Sequence, residues 1–143
     1  METANPTAAQ PLTDRKILLV EDDEFLSSLI KNRLEREKYK VTLVSDGLKA
    51  HDTLKQGAHN LILLDIILPN KLGFEILEEL KRDPTITTPP VMIISNLGQE
   101  EDVRRAQELG AIDYFIKAQI MIDDLVARVN KFFELGPDKY QPE

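Results

Sequence analysis

Four stretches of this 143-residue chain run apolar and then end on a side chain that can bind or transfer charge. The run from Asn60 to Pro69 carries Asp65 in its middle, and Lys16–Val20 leads straight into Glu21, Asp22, Asp23 and Glu24. Val91 to Ile94 ends on Ser95, and Ile112 to Ile116 delivers Lys117. Three carboxylates brought into one cleft repel one another unless a cation sits among them, and a hard divalent ion such as Mg²⁺ takes oxygen ligands of this kind. A hydroxyl and an ammonium opposite them would stabilise an anion. Together these groups are suited to holding a phosphoryl group, whose transfer depends mainly on positioning and charge neutralisation.

For those side chains to meet, the runs must be parallel strands with their C-terminal ends on one sheet edge. Short apolar runs without alternation are the signature of strands buried on both faces, and open α/β sheets build their sites at the strands' carboxyl ends. Between the runs lie helical patterns. Apolar residues at 25, 26, 29, 30 and 34 predict a first helix, with acids at its start and Lys31 and Arg33 later, as its dipole favours. Val41–Val44 predicts a short strand, followed by a helix holding Ala50 and Leu54 that stops near Gly57. A helix from about Gly73 places Phe74, Leu77 and Leu80 on one side and ends at Asp83-Pro84. The next helix, 100–109, is polar, with only Val103, Ala106 and Leu109 as an apolar stripe; it is read either as a solvated helix or as a partner surface too. The last, with Ile122, Leu125, Val126, Val129, Phe132 and Phe133, is closed by Gly136-Pro137. Five strands alternating with five helices predict right-handed βαβ units and a doubly wound parallel sheet covered on both faces.

The domain is expected to span 15–135, with a disordered arm over 1–14 and a flexible tail over 136–143. Net charge is −7, which opposes general attraction to nucleic acid or anionic membrane. No apolar stretch is long enough for a membrane span, no signal peptide is visible and cysteine is absent, so a cytoplasmic location is expected. His51 and His59 have no neighbouring ligands in the sequence, and there is no glycine-rich phosphate loop. Asp23 and Glu24 read as acids of the first helical turn.

The ordered set of acids, aspartate, hydroxyl and lysine on successive strand ends resembles a response-regulator receiver domain of two-component signalling. The resemblance covers roughly Arg15 to Leu135 and rests on the segment 17–24, on Leu63-Leu64-Asp65 through Leu68-Pro69, on Ile94-Ser95 and on the segment from Gly110 to Lys117. It implies a flavodoxin-like (βα)5 sandwich with strand order 2-1-3-4-5. It implies that Asp65 is the phosphoacceptor and that Mg²⁺ is held by Glu21, Asp22, Asp65 and the backbone carbonyl of Ile67, with Asp22 the direct ligand of the acid pair and Glu21 acting through water. Ser95 and Lys117 would each take a phosphoryl oxygen. Tyr114 would turn inward when Ser95 moves, altering the surface of the fourth helix, fifth strand and fifth helix; read without the resemblance, Tyr114 is an ordinary strand aromatic.

The implied donor is a sensor histidine kinase or phosphotransfer protein, and the output either a downstream protein partner or a missing effector domain, in a monomer or a phosphorylation-dependent dimer with no direct nucleic-acid contact. The reading is a stand-alone or excised receiver, not an enzyme beyond slow self-dephosphorylation. Its rivals are a receiver-like module that is never phosphorylated and a Mg²⁺-dependent aspartyl phosphohydrolase; the latter usually carries a second aspartate where this chain has Ile67. Two positions depart from the receiver pattern. Lys117 is followed by Ala118 where proline is usual, so the following loop is expected to differ, and Ser95 is followed by Asn96 where a small residue is usual, narrowing access to the phosphate or hydrogen-bonding to it. Ile67 and Leu97 stand at positions that flank the attacking water in the family, and neither can orient it, so slow self-dephosphorylation is expected.

Overall fold

A computed structural model describes residues 15–142. The arm expected over 1–14 lies outside the described residues. In chain order the elements are β1 (Lys16–Val20), α1 (Glu24–Arg36), β2 (Lys40–Val44), α2 (Gly47–Gln56), β3 (Leu61–Leu64), α3 (Gly73–Arg82), β4 (Val91–Ser95), α4 (Glu100–Glu108), β5 (Ala111–Ile116) and α5 (Ile122–Leu135). All strands are parallel, in the order β2-β1-β3-β4-β5. This is the doubly wound (βα)5 arrangement expected from the alternation of runs.

The unalternating strand sequences have a direct physical cause. Successive side chains of a strand point to opposite faces, and here both faces are covered. Ile17, Leu19, Leu61, Leu63, Met92 and Ile94 pack into one core layer with α1 and α5. Leu18, Val20, Ile62, Leu64, Val91 and Ile93 pack into the other, with α2, α3 and Ala106 of α4. The central strands therefore have no solvated face on which polar residues could alternate.

Local chemistry fixes where the helices start, and three of these starts lie on the edge that carries the candidate site. Asp23, expected in the first turn of α1, is its N-cap, its carboxylate accepting from the Leu26 N–H at 3.0 Å. Asp46 caps α2 in the same way, accepting from the Leu48 N–H. At α3, Glu75 reaches back to accept from the Leu72 N–H at 3.1 Å, and Gly73 lies so close to the β3–α3 loop that a Cβ would stand 2.5 Å from the Asp65 carbonyl oxygen. Only glycine allows that approach.

The expectation of a flexible tail from residue 136 does not hold as far as Tyr140. After Gly136, in the left-handed region at φ 85°, the chain turns back and Tyr140 becomes buried, its ring set edge-on to Phe132 at 5.8 Å between centroids. Its hydroxyl donates to the buried Asp113 carboxylate, which also pairs with Arg128 at 2.7 Å. An aromatic ring with both an apolar groove and a buried acceptor within reach gains more by docking than the short turn costs.

Candidate functional site

The strand ends bring Glu21, Asp22, Asp65 and Lys117 into one acidic pocket. Glu21 follows β1 directly, held by its N–H donating to the Val44 carbonyl, and Asp65 follows β3, its N–H donating to the Val20 carbonyl. Both are buried, at 2% and 3% exposure, while Asp22 is exposed. Each of the three offers one carboxylate oxygen such that the three oxygens lie within 4.8 Å of one another, the only such group of acids, histidines or cysteines among the described residues. Hard oxygen donors at that spacing, on one rim, fit a small divalent cation.

Lys117 is inserted into this group rather than set apart from it. Its Nζ lies 2.6 Å from Asp65 Oδ2 and 2.8 Å from Glu21 Oε1. Sequence reasoning placed the lysine on an anion-binding half opposite the acids; the structure has it bridging two of them. The electrostatics follow from one ammonium serving two carboxylates. Burial alone would lower the Lys117 pKa, but its hydrogen bonds to Asp65 and Glu21 outweigh burial and raise it. At Glu21 burial dominates and raises the pKa, with the nearby Asp65 charge adding to the rise; Lys117 and the Asp23 N–H, which donates to Oε2 at 3.0 Å, offset it only in part. Lys117 is over-compensated and Glu21 under-compensated.

That imbalance has a measurable consequence. An acid whose folded pKa lies above its unfolded value penalises the folded state when ionised, and the penalty is relieved as pH falls through the folded pKa toward the unfolded one, near 4.5. Glu21→Gln is therefore expected to raise the metal-free Tm at pH 7. Thermal scans from pH 7 down to 4.5 check it: the advantage shrinks with falling pH, and a variant less stable than the native protein at neutral pH contradicts it.

Ser95 is wholly buried at the end of β4, its Oγ accepting from the Leu97 N–H at 3.3 Å. Tyr114 is half-buried, its hydroxyl donating to the Leu97 carbonyl, so the aromatic of β5 is tied to the loop that follows Ser95. Burial first, and then the charges of Asp102 and Asp65, push its pKa up to about 12. Ile67 is 53% exposed beside the pocket, its N–H donating to Asp65 Oδ1 at 3.3 Å. The Leu97 side chain packs against the α3–α4 side of the core, leaving its backbone as what it offers the loop. Asn96 is exposed, and its Oδ1 accepts from the Ala118 N–H at 3.1 Å. The bond between Lys117 and Ala118 is trans.

Three features escaped the sequence reading: the double pairing of Lys117, the link from Asn96 to Ala118, and the union of Asp113, Arg128 and Tyr140. None has a fixed spacing that a linear pattern could reveal. A lone tyrosine in an otherwise polar tail was the one available signal for the third.

A doubly wound sheet with a strand-end aspartate, an acid pair, a hydroxyl and a lysine on one edge defines the receiver class, the phosphoacceptor modules of two-component signalling. The chain belongs to the response regulator receiver domain family, whose model matches residues 17–130. It is 36% identical over 128 residues to the transcriptional regulatory protein CrdR of Helicobacter pylori, covering 90% of this chain and 59% of that protein. Among solved structures it resembles the non-phosphorylated HemR receiver domain from Leptospira biflexa, with TM-score 0.78, 28% identity, and 86% and 97% of the two chains covered. It also resembles the receiver domain of the sensor histidine kinase PA1611 from Pseudomonas aeruginosa PAO1, a structure with magnesium coordinated in its active-site cleft, with TM-score 0.73, 25% identity, and 83% and 97% covered. The chain spans about half the length of the curated relatives it matches. Among the described residues no helix is long and apolar enough to cross a membrane.

Proposed function

We propose that Asp65 is the phosphoacceptor of this receiver, taking a phosphoryl group from a phosphohistidine on a sensor kinase or phosphotransfer protein. The observation that carries the reading is the placement of a buried Asp65 carboxylate against both the Lys117 ammonium and the Glu21–Asp22 acid pair. In the transfer an Asp65 oxygen forms a bond to phosphorus as the bond from phosphorus to the donor nitrogen breaks, and the freed imidazole keeps the electron pair. Glu21, Asp22 and Asp65 would hold Mg²⁺, together with the Ile67 carbonyl. Bound there, the ion would neutralise charge building on the phosphoryl oxygens. Lys117, already 2.6 Å from Asp65, would pair with one of those oxygens, and Ser95 would donate to another.

The output reading rests on Tyr114. Its hydroxyl holds the Leu97 carbonyl two residues beyond Ser95, so a movement of Ser95 toward a phosphoryl group would be felt at Tyr114 and along the α4–β5–α5 face. A protein partner or an effector domain reading that face would complete the signal, in the cytoplasm. Ile67 supports a signalling role with turnover limited to slow self-dephosphorylation: an apolar side chain beside Asp65 cannot orient a water for attack.

One experiment tests the acceptor and the lifetime together. With Mg²⁺ and acetyl phosphate, the intact mass of the protein is expected to gain one phosphoryl group, a gain that Asp65→Ala abolishes; after donor removal, Ile67→Asn is expected to lose the group about tenfold faster than the native protein. Modification that survives Asp65→Ala would refute the acceptor assignment. Steady release of phosphate with no accumulating adduct would favour a phosphohydrolase, and an inert native protein a binding module.

A further inference from the structure

The sheet does not stop at its last backbone bond. Ser95 of β4 lies opposite Ile116 of β5, and the final backbone link between the strands runs from the Lys117 N–H to the Ser95 carbonyl at 3.0 Å. One residue further on, where no backbone carbonyl of β4 remains in register, a side chain takes over: the Ala118 N–H donates to Asn96 Oδ1. Asn96 immediately follows Ser95 and Ala118 immediately follows Lys117. The link thus closes around the two residues whose side chains would receive phosphoryl oxygens.

Lys117 needs such support. β5 is an edge strand and ends at Ile116; the chain then turns at once, with the N–H groups of Gln119 and Ile120 both donating to the Ile116 carbonyl. The lysine therefore stands on a turn at the edge of the sheet, and its four-carbon stem has many rotamers. Its Nζ can sit between Asp65 and Glu21 only if its backbone is held in place. The residue after it determines what that requires. A proline there would present no N–H and a fixed φ. Alanine has an N–H that needs an acceptor and a backbone that needs a restraint, and Asn96 meets both needs with one bond. The two positions at which the sequence departs from the receiver pattern are in contact with each other.

We propose that Asn96 is a positioning residue for phosphoryl transfer: by accepting the Ala118 N–H it fixes the Lys117 backbone against the end of β4, and so fixes the reach of Nζ to the reacting group at Asp65. This rests on Asp65 being the phosphoacceptor. The competing role, an Asn96 side chain that obstructs or hydrogen-bonds the donor itself, leaves Lys117 out of the account, and the two roles separate in a mutant cycle.

The test compares the native protein with Asn96→Ala, Asn96→Asp, Lys117→Ala and the double variant Asn96→Ala/Lys117→Ala. Initial phosphorylation rates are read by intact mass over a range of acetyl phosphate concentrations with Mg²⁺, and hydrogen exchange of the Ala118 amide by NMR. Asn96→Ala is expected to speed Ala118 exchange and to lower the maximal rate about tenfold at unchanged KM, within the hundredfold that an ångström-scale misplacement can cost. Asn96→Asp keeps an acceptor oxygen and should keep the Ala118 amide protected. In the Lys117→Ala background the Asn96→Ala change should cost nothing further. An unchanged or faster rate in Asn96→Ala, or an equal loss with and without Lys117, would overturn the inference and leave Asp65 as acceptor. A native protein that takes up no phosphoryl group would overturn both.

Discussion

Lys117→Ala is expected to cost this domain both stability and phosphoryl uptake, and to do so for one electrostatic reason. The ammonium is the neutralising partner, at 2.6 and 2.8 Å, of two carboxylates that are only 3% and 2% exposed. Removing one partner of a buried pair leaves charge without compensation, an effect of about 3–5 kcal/mol for fully buried pairs. The pocket opens to solvent at Lys117, whose side chain is 16% exposed, and at Asp22, so about 2 kcal/mol is expected in the absence of metal, a fall in Tm of roughly 6 °C.

Added Mg²⁺ should raise the Tm of Lys117→Ala more than that of the native protein. A more negative pocket binds a cation more tightly, and a ligand that binds only the folded state stabilises it accordingly. Phosphorylation by acetyl phosphate should meanwhile fall about 10²-fold, the scale seen when one preorganised donor is lost from a site of developing negative charge. Calorimetry with and without Mg²⁺, alongside mass measurements of phosphate uptake, checks both parts. Equal Mg²⁺ shifts in the two proteins would show that the lysine does not compensate these carboxylates.

The second large effect lies outside the pocket, in a segment whose sequence reads as a loose end. Tyr140→Ala is expected to lower stability by about 3 kcal/mol, through loss of the ring packed on Phe132 and of the hydrogen bond to Asp113. That corresponds to a fall in Tm of roughly 10 °C. Tyr140→Phe should cost about 1 kcal/mol, because the ring stays and Arg128 still pairs with Asp113. The hydroxyl stays protonated across the accessible range, since burial and the Asp113 carboxylate both raise its pKa, so the effect should not vary between pH 6 and 9. Well below the melting range, phosphorylation at Asp65 should proceed at the native rate in both variants. An Ala variant as stable as the native protein would show that residues 136–140 are no part of the folded unit.

These two cases mark where the sequence was informative and where it was not. The fold was legible because burial on both sheet faces leaves its mark on every central strand. Leu61 to Leu64 are all buried, and no polar residue could have stood among them without losing hydration. Asp65 and Ser95, each at a strand terminus, were legible for the converse reason: a buried carboxylate or hydroxyl bounding an apolar run needs a partner, and parallel strands place such groups on one edge.

What linear patterns could not carry were contacts between side chains distant in sequence and set by the exact approach of two loops. Lys117 was foreseen as part of the site but not as the bridge between Glu21 and Asp65, because a flexible stem reaches several positions and only the packed strand ends select one. Asn96 and Ala118 were visible as separate departures from a pattern, and only the meeting of the β4–α4 and β5–α5 loops joins them. By itself, then, the sequence determined the doubly wound sheet and an edge of reactive groups suited to holding a phosphoryl group, since periodicity and strand-end chemistry are local. The tertiary structure decided how charge is shared within the pocket, what holds Lys117 in place and how far the folded unit extends toward its C-terminus, because each of these depends on distances that no spacing in the chain encodes.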